Sequence, residues 1–365
     1  MNMKVNARAE LEGITPYALG QTIEEIKEQY KLTTVRKLSD NENVYGTSPK
    51  VREAILQASA NLAFYPDGMT SGITEKLSAH YGLKPEHFLV SNGSEEIIRL
   101  LTRAYIDKND EAVMAEVTFP RYKTNVLIEG GKAVTVPMIE GRHDLKSMLE
   151  AISEKTKLVF VCNPNNPTGT IVAKQELLSF IGNVPSNVLI VMDEAYFEYT
   201  DSEDFLDTMP LLDQYENLVI LRTFSKIYGL ASLRVGYGIM HQEIAKELHK
   251  VRDVFNVNQL AQAAAMAAID DQEFVKDCAE KNSAEREFLR EKFKELEIES
   301  FPSQSNFLFA YSNTPVIHTL TENGVLVRQM QLPGYKEAFR ITLGTREDHE
   351  FIIQVVSQLF HERAV

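Results

Sequence analysis

Short, continuous apolar runs recur through the middle of this chain. The clearest are Phe88-Leu89-Val90, Leu158-Val159-Phe160-Val161, Val188-Leu189-Ile190-Val191-Met192 and Leu218-Val219-Ile220-Leu221. Ala112-Val113-Met114 and Ala133-Val134-Thr135-Val136 are weaker members of the set. Helical patterns separate them. A strand with no polar face must be covered on both sides, so this alternation predicts a mostly parallel sheet sandwiched by helices. The α/β pattern runs from about Leu32 to Ile239.

The character changes after about Lys250. Residues 259–297 are Ala-rich, then charged, and carry no Pro or Gly, which predicts one or two long helices. Strand-like pieces follow at Asn306–Ala310, Val325–Arg328 and Ala338–Leu343. Thr345, with Asp348 three residues on, can cap a last helix carrying Phe351, Ile352, Val355 and Leu359. The chain has 365 residues, more than one core of roughly 250–300 residues supports. A large domain is expected over 31–255. A smaller α+β domain is expected over 256–365, together with an N-terminal arm, residues 1–30, in which Ile23, Ile26 and Tyr30 mark an amphipathic helix.

Charge and composition narrow the partners. A formal net charge of −14 repels phosphate backbones and anionic membranes. No stretch approaches the ~18 apolar residues of a membrane span. Met1 to Glu12 lacks the apolar core of a secretory leader. Cys162 and Cys278 show no Cys-x-x-Cys spacing, so neither a disulfide framework nor a metal site is expected, and a cytoplasmic location is. An anionic small molecule would need a local cluster of Arg, Lys or backbone N–H groups.

Polar residues gather directly after the apolar runs. Ser91-Asn92-Gly93-Ser94-Glu95-Glu96 follows the first, and Asn163-Pro164-Asn165-Asn166-Pro167-Thr168-Gly169 follows the second. Asp193-Glu194-Ala195-Tyr196 and Thr223-Phe224-Ser225-Lys226 follow the next two. Ligands of open α/β sheets bind at the carboxyl ends of the strands, so these four segments are expected to share one rim. Gly93-Ser94-Glu95 opens a helix with an apolar face of Ile97, Ile98, Leu100 and Leu101, and such an N-terminus attracts anions. Asp193 ends an apolar strand, where an unpaired carboxylate is costly. No Gly-x-Gly-x-x-Gly follows a strand and no Gly-x-Ser-x-Gly occurs, which disfavours a nicotinamide enzyme and a serine hydrolase.

Asn166-Pro167-Thr168-Gly169, Asp193-Glu194-Ala195-Tyr196, Ser225-Lys226 and Arg234-Val235-Gly236-Tyr237, in that order, resemble the aspartate-aminotransferase superfamily of pyridoxal-5′-phosphate (PLP) enzymes, fold type I. The resemblance spans the whole chain. It implies that Lys226 holds PLP as a Schiff base and shuttles the substrate's proton, which requires a depressed amine pKa. It gives Asp193 to the pyridine nitrogen, and Asn166 and Tyr196 to the phenolic oxygen. Ser225 and Arg234 would join Gly93, Ser94 and Glu95 around the phosphate. Phe119 would stack on the ring, and ordinary core packing explains Phe119 nearly as well. Tyr65 would reach the phosphate of a neighbouring subunit, making the active unit a homodimer. One departure is Ala231-Ser232-Leu233, where Ala-Gly is common before the arginine. Another is Phe119 itself, where Tyr is also common.

Arg340 matches the arginine that grips a substrate carboxylate. Together Tyr17, Arg328 and Arg340 resemble the phosphate clamp of the histidinol-phosphate aminotransferase family. The implied reaction passes the amino group of L-histidinol phosphate to 2-oxoglutarate, yielding imidazole acetol phosphate and glutamate. An aromatic or broad-range aminotransferase shares every cofactor residue and stays open as an alternative. So does a PLP decarboxylase of a phosphorylated amino acid. An aminotransferase-like sensing domain is the non-enzyme alternative, but no segment is basic enough to serve as its DNA-binding module.

Overall fold

The structure, a computed structural model, describes residues 5–16, 20–332 and 334–361. Its strands are numbered in chain order. β1 is Arg36–Lys37, β2 Phe88–Ser91, β3 Glu111–Ala115 and β4 Lys132–Val136. β5 is Thr156–Cys162, β6 Leu189–Asp193, β7 Leu218–Thr223 and β8 Gly236–Met240. Strands β2 to β8 form one seven-stranded sheet in the order β2-β8-β7-β6-β5-β3-β4. Neighbours from β7 through β4 run parallel, and β8 is antiparallel to both β7 and β2.

The expected sandwich is present. Side chains of β5, β6 and β7 are buried on both faces, one set packing with Phe180, Ile181 and Ala264, the other with Ile97, Leu101 and Tyr122. The helix Ser94–Tyr105 shows how the sequence places the site. Gly93 stands at its N-cap with φ 76°, Glu95 and Glu96 occupy the first turn, and Ile97, Ile98, Leu100 and Leu101 turn inward.

The second half follows the expected order with two refinements. The long helical tract divides into Gln259–Ile269 and Gln272–Glu295. The strand expected over Val325–Arg328 is two. β9 is Glu299–Ser300, β10 Phe307–Tyr311, β11 Val325–Leu326, β12 Arg328–Gln329 and β13 Phe339–Thr342. β11 pairs with β1, whereas β12 joins the antiparallel sheet β12-β13-β10-β9. The chain changes sheets at Val327, which a local apolar pattern does not reveal. Thr345 and Asp348 cap the helix Arg346–His361 reciprocally, with the Thr345 amide donating to Asp348 at 2.9 Å and the Asp348 amide to Thr345 at 3.3 Å. In the arm, Thr22 and Glu25 cap Ile23–Tyr30 in the same way.

The turn after Lys226 is locked against the segment leading into the large sheet. Gly229 has φ 71°, and a Cβ there would lie 2.0 Å from the Gly46 carbonyl oxygen. Asn43 Nδ2 donates to the Ile227 carbonyl at 2.7 Å. A Gly229→Ala variant is therefore expected to lose well over ~1 kcal/mol of stability, since backbone meets backbone and the φ is unfavourable. Urea unfolding of the two proteins measures it, and an unchanged midpoint would contradict the packing described.

Candidate active site

One cavity of about 140 Å3 collects the residues that the motifs single out. Its lining includes Ser94, Glu95, Phe119, Asn166, Asp193, Tyr196, Ser225, Lys226 and Arg234. Ser94 follows β2, Phe119 follows β3, Asn166 follows β5, and Lys226 follows β7. Arg234 precedes the antiparallel β8 and so stands at the same rim. The carboxyl ends of the strands thus converge as expected.

The Lys226 amine donates to the Asp40 carbonyl at 3.3 Å and stands 5.7 Å from the centre of the Tyr196 ring. Desolvation in the cavity, reinforced by Arg340 and Arg234 and opposed by Glu42 and Asp40, pulls its pKa from 10.5 down to about 7. Near neutral pH, about half of such an amine is uncharged and nucleophilic.

Asp193 ends β6, and its carboxylate is buried. It accepts from the Tyr122 hydroxyl at 2.6 Å and from the Ala195 amide at 3.2 Å. Burial pushes its pKa up, while those two donors and Lys226 pull it down. Phe119 meets Tyr122 edge to face, with centroids 5.5 Å apart. Tyr196 accepts from Asn41 Nδ2 at 3.0 Å, and burial pushes its hydroxyl pKa up.

The other end of the cavity is built for an anion. Arg234 adopts the left-handed region at φ 54° and donates to Ser225 Oγ at 3.2 Å and to the Ala231 carbonyl at 3.1 Å. A Cβ on Gly93 would lie 2.7 Å from Arg234 Nη2, so only glycine lets this guanidinium rest over the helix N-terminus. Glu95 is held beside it, accepting from Arg121 Nε at 2.5 Å. An anion cradle, a buried carboxylate and a partly neutral amine along one cavity fit the phosphate, ring nitrogen and aldehyde of PLP.

Arg340, on β13, reaches across to the loop after β5 and to the Ser39 segment. It donates to Asn166 Oδ1 at 2.7 Å and to the Ser39 carbonyl at 2.7 Å. Arg328 is its register partner on β12. A Cβ on Gly20 would lie 3.6 Å from Arg328 Nη1, so the arm passes over this arginine. Tyr17 lies outside the described residues. Tyr65 is not in the cavity: it is 81 % exposed and stacks on Phe255, with centroids 4.6 Å apart.

Two contributors escape the sequence reading. The Ser39-Asp40-Asn41 segment supplies carbonyls to Arg340 and Lys226 and an amide to Tyr196. Its only signal is a polar cluster after Leu38. Tyr122 was readable only as a helix-face aromatic three residues after Phe119.

A profile described as "Aminotransferase class I and II" matches residues 33–356. The chain belongs to this family. A histidinol-phosphate aminotransferase from Geobacillus sp. (strain WCH70) is 45% identical over 359 residues, covering 98% of each protein. One from Bacillus subtilis (strain 168) is 42% identical over 353 residues, covering 96% of this chain and 98% of that protein. Among solved structures, the histidinol-phosphate aminotransferase from Sinorhizobium meliloti, in complex with pyridoxal-5′-phosphate, superposes with a TM-score of 0.90. It covers 99% of this chain and 100% of its own at 24% identity. An aspartate aminotransferase from Thermus thermophilus superposes at 0.81 with 20% identity, covering 97% and 100%. The fold of this aminotransferase is therefore fold type I.

A lysine with a pKa near 7 has a kinetic signature. PLP uptake by the cofactor-free aminotransferase is expected to speed up with pH below about 7 and to level off above it, because only the neutral amine attacks. Stopped-flow absorbance follows the uptake. A rate still climbing steeply at pH 9 would mean that Lys226 titrates as an ordinary lysine.

Proposed function

We propose that this aminotransferase uses PLP to transfer the amino group of L-histidinol phosphate to 2-oxoglutarate, a step of histidine biosynthesis, and that it works in the cytoplasm as a homodimer. The observation that carries the substrate assignment is the register of Arg328 opposite Arg340. Residues directly opposite in an antiparallel pair share a face of the sheet. Two guanidinium side chains therefore rise from one face, and Arg340 already touches Asn166 in the cavity. A phosphate monoester carries nearly two charges and suits two such forks. The names of the relatives at 41–45% identity support the same substrate.

Each residue then has a defined task. Bound PLP supplies an electron sink that makes the substrate's Cα–H acidic. Lys226 would hold the cofactor, and its amine can take the proton from the substrate's Cα. Asp193 would pair with the ring nitrogen and favour its protonated form, with Tyr122 and Ala195 holding the carboxylate in place. Asn166 and Tyr196 attend the phenolic oxygen. Gly93, Ser94, Glu95, Ser225 and Arg234 form the phosphate end. Arg340 binds the phosphate of histidinol phosphate in one half-reaction and a carboxylate of glutamate in the other.

An exposed apolar patch supports the dimer. Leu62, Phe64, Tyr65 and Val254 are all more than half exposed and line one surface cleft. A patch of this kind is a protein-binding surface, and a second copy would cover it. Tyr65 would then serve the partner's phosphate end. Among the described residues no helix is long and apolar enough to cross a membrane.

Two experiments test these assignments. Arg328→Ala is expected to lower kcat/KM for histidinol phosphate about ten- to a hundredfold, the value of a charge-assisted hydrogen bond of roughly 1.5–3 kcal/mol, with a smaller effect on glutamate. Equal losses for both substrates would remove the case for a phosphate clamp. Mixing a Tyr65→Phe chain with a Lys226→Ala chain is expected to restore activity above the sum of the parents, because mixed dimers contain one intact site. Strict additivity would argue against shared sites.

A further inference from the structure

Arg222 is fully buried, yet it does not line the cavity. It sits on β7 four residues before Lys226. Its Nε and Nη2 donate to Glu194 Oε2 at 3.0 and 2.8 Å, and Nη2 also reaches Asp207 Oδ1 at 3.1 Å. The other Glu194 oxygen accepts the Thr208 hydroxyl. The guanidinium carbon stands 3.5 Å from the centre of the Phe197 ring, in the turn after Tyr196.

Stability alone does not explain this arrangement. Burying two charges costs desolvation on both sides, and a packed apolar pair often serves a core as well. What a buried pair fixes is geometry. Asp193 and Leu221 are register partners, and the Glu194 amide donates to the Leu221 carbonyl at 2.9 Å. Side chains alternate along strands, so Asp193 and Glu194 point to opposite faces, as do Arg222 and Thr223. Asp193 and Thr223 line the cavity, while Glu194 and Arg222 meet behind it. The pair thus ties β6 to β7 one residue from Asp193 and one turn from Lys226.

We propose that Arg222 is a positioning residue, whose pairing with Glu194 sets the spacing between Asp193 and Lys226. This rests on the PLP reading above. A ring held at its nitrogen by one strand and at its aldehyde carbon by the next needs that spacing fixed. A misplacement of about 1 Å can cost on the order of 10²-fold in rate.

The test uses the full-length aminotransferase with an Arg222→Met, Glu194→Gln double substitution, which removes both charges and keeps an acceptor for Thr208. We expect a folded protein with near wild-type thermal midpoint, weaker PLP binding, a shifted pH midpoint of the visible cofactor band, and kcat lowered about 10²-fold. Arg222→Lys, which keeps a charge opposite Glu194, should recover part of kcat and move the midpoint back. Wild-type affinity, midpoint and kcat in the double variant would overturn the proposal, as would an Arg222→Lys protein no better than the double variant. If the double variant does not fold, Thr208→Val releases one restraint on Glu194 and should still shift the midpoint and lower kcat several-fold. No change in either would overturn the proposal. A wild-type protein that takes up no PLP would instead defeat the cofactor reading, so the two failures are distinguishable.

Discussion

A buried carboxylate at the end of an apolar strand sets the terms for the rest of this structure. β6 is apolar until Asp193, and an ionised group there loses most of its hydration. The Tyr122 hydroxyl and the Ala195 amide return part of what water would have given. Neither carries a full positive charge. The remaining demand falls on the cavity, where the protonated ring nitrogen of PLP would meet it. The anion cradle of Gly93, Ser225 and Arg234 has the complementary need. A ligand that is cationic at one end and dianionic at the other satisfies both.

The two faces of the central strands divide the work. On the cavity face, Asp193, Thr223 and Cys162 line the cavity. On the other face, Ile190, Met192 and Ile220 build the core, and the Glu194–Arg222 pair closes it at the rim. The strict alternation of a strand makes this division possible within two consecutive residues, Asp193 and Glu194.

This logic also explains what could be read from the sequence. The runs at 158–161, 188–192 and 218–221 advertise strands buried on both faces, and the polar residues that follow them advertise the rim. Both features are local, and the structure has them where they were expected. β8 was not among the expected strands, because Gly236 and Gly238 break up its apolar run. Contacts made across long sequence distances left no signal either. Asn41 meets Tyr196 over 155 residues, and Ser39 meets Arg340 over 301. Tyr65 lies outside its own chain's cavity, so its role rested on resemblance alone.

The small sheet also acts on the amine, through Arg340. After desolvation, Arg340 is the strongest influence lowering the pKa of Lys226. Its guanidinium is fixed by Asn166 and by the Ser39 carbonyl, beside the Asp40 carbonyl that accepts from Lys226. In a chain of net charge −14, Lys226, Arg234 and Arg340 form a local positive cluster. Such a cluster attracts anions and at the same time keeps the amine partly neutral. An anion bound at Arg340 offsets that positive charge, and the amine then holds a proton more tightly. Anion binding at Arg340 and proton affinity at Lys226 are therefore coupled through one arginine, which links the β13 strand to the amine at the end of β7.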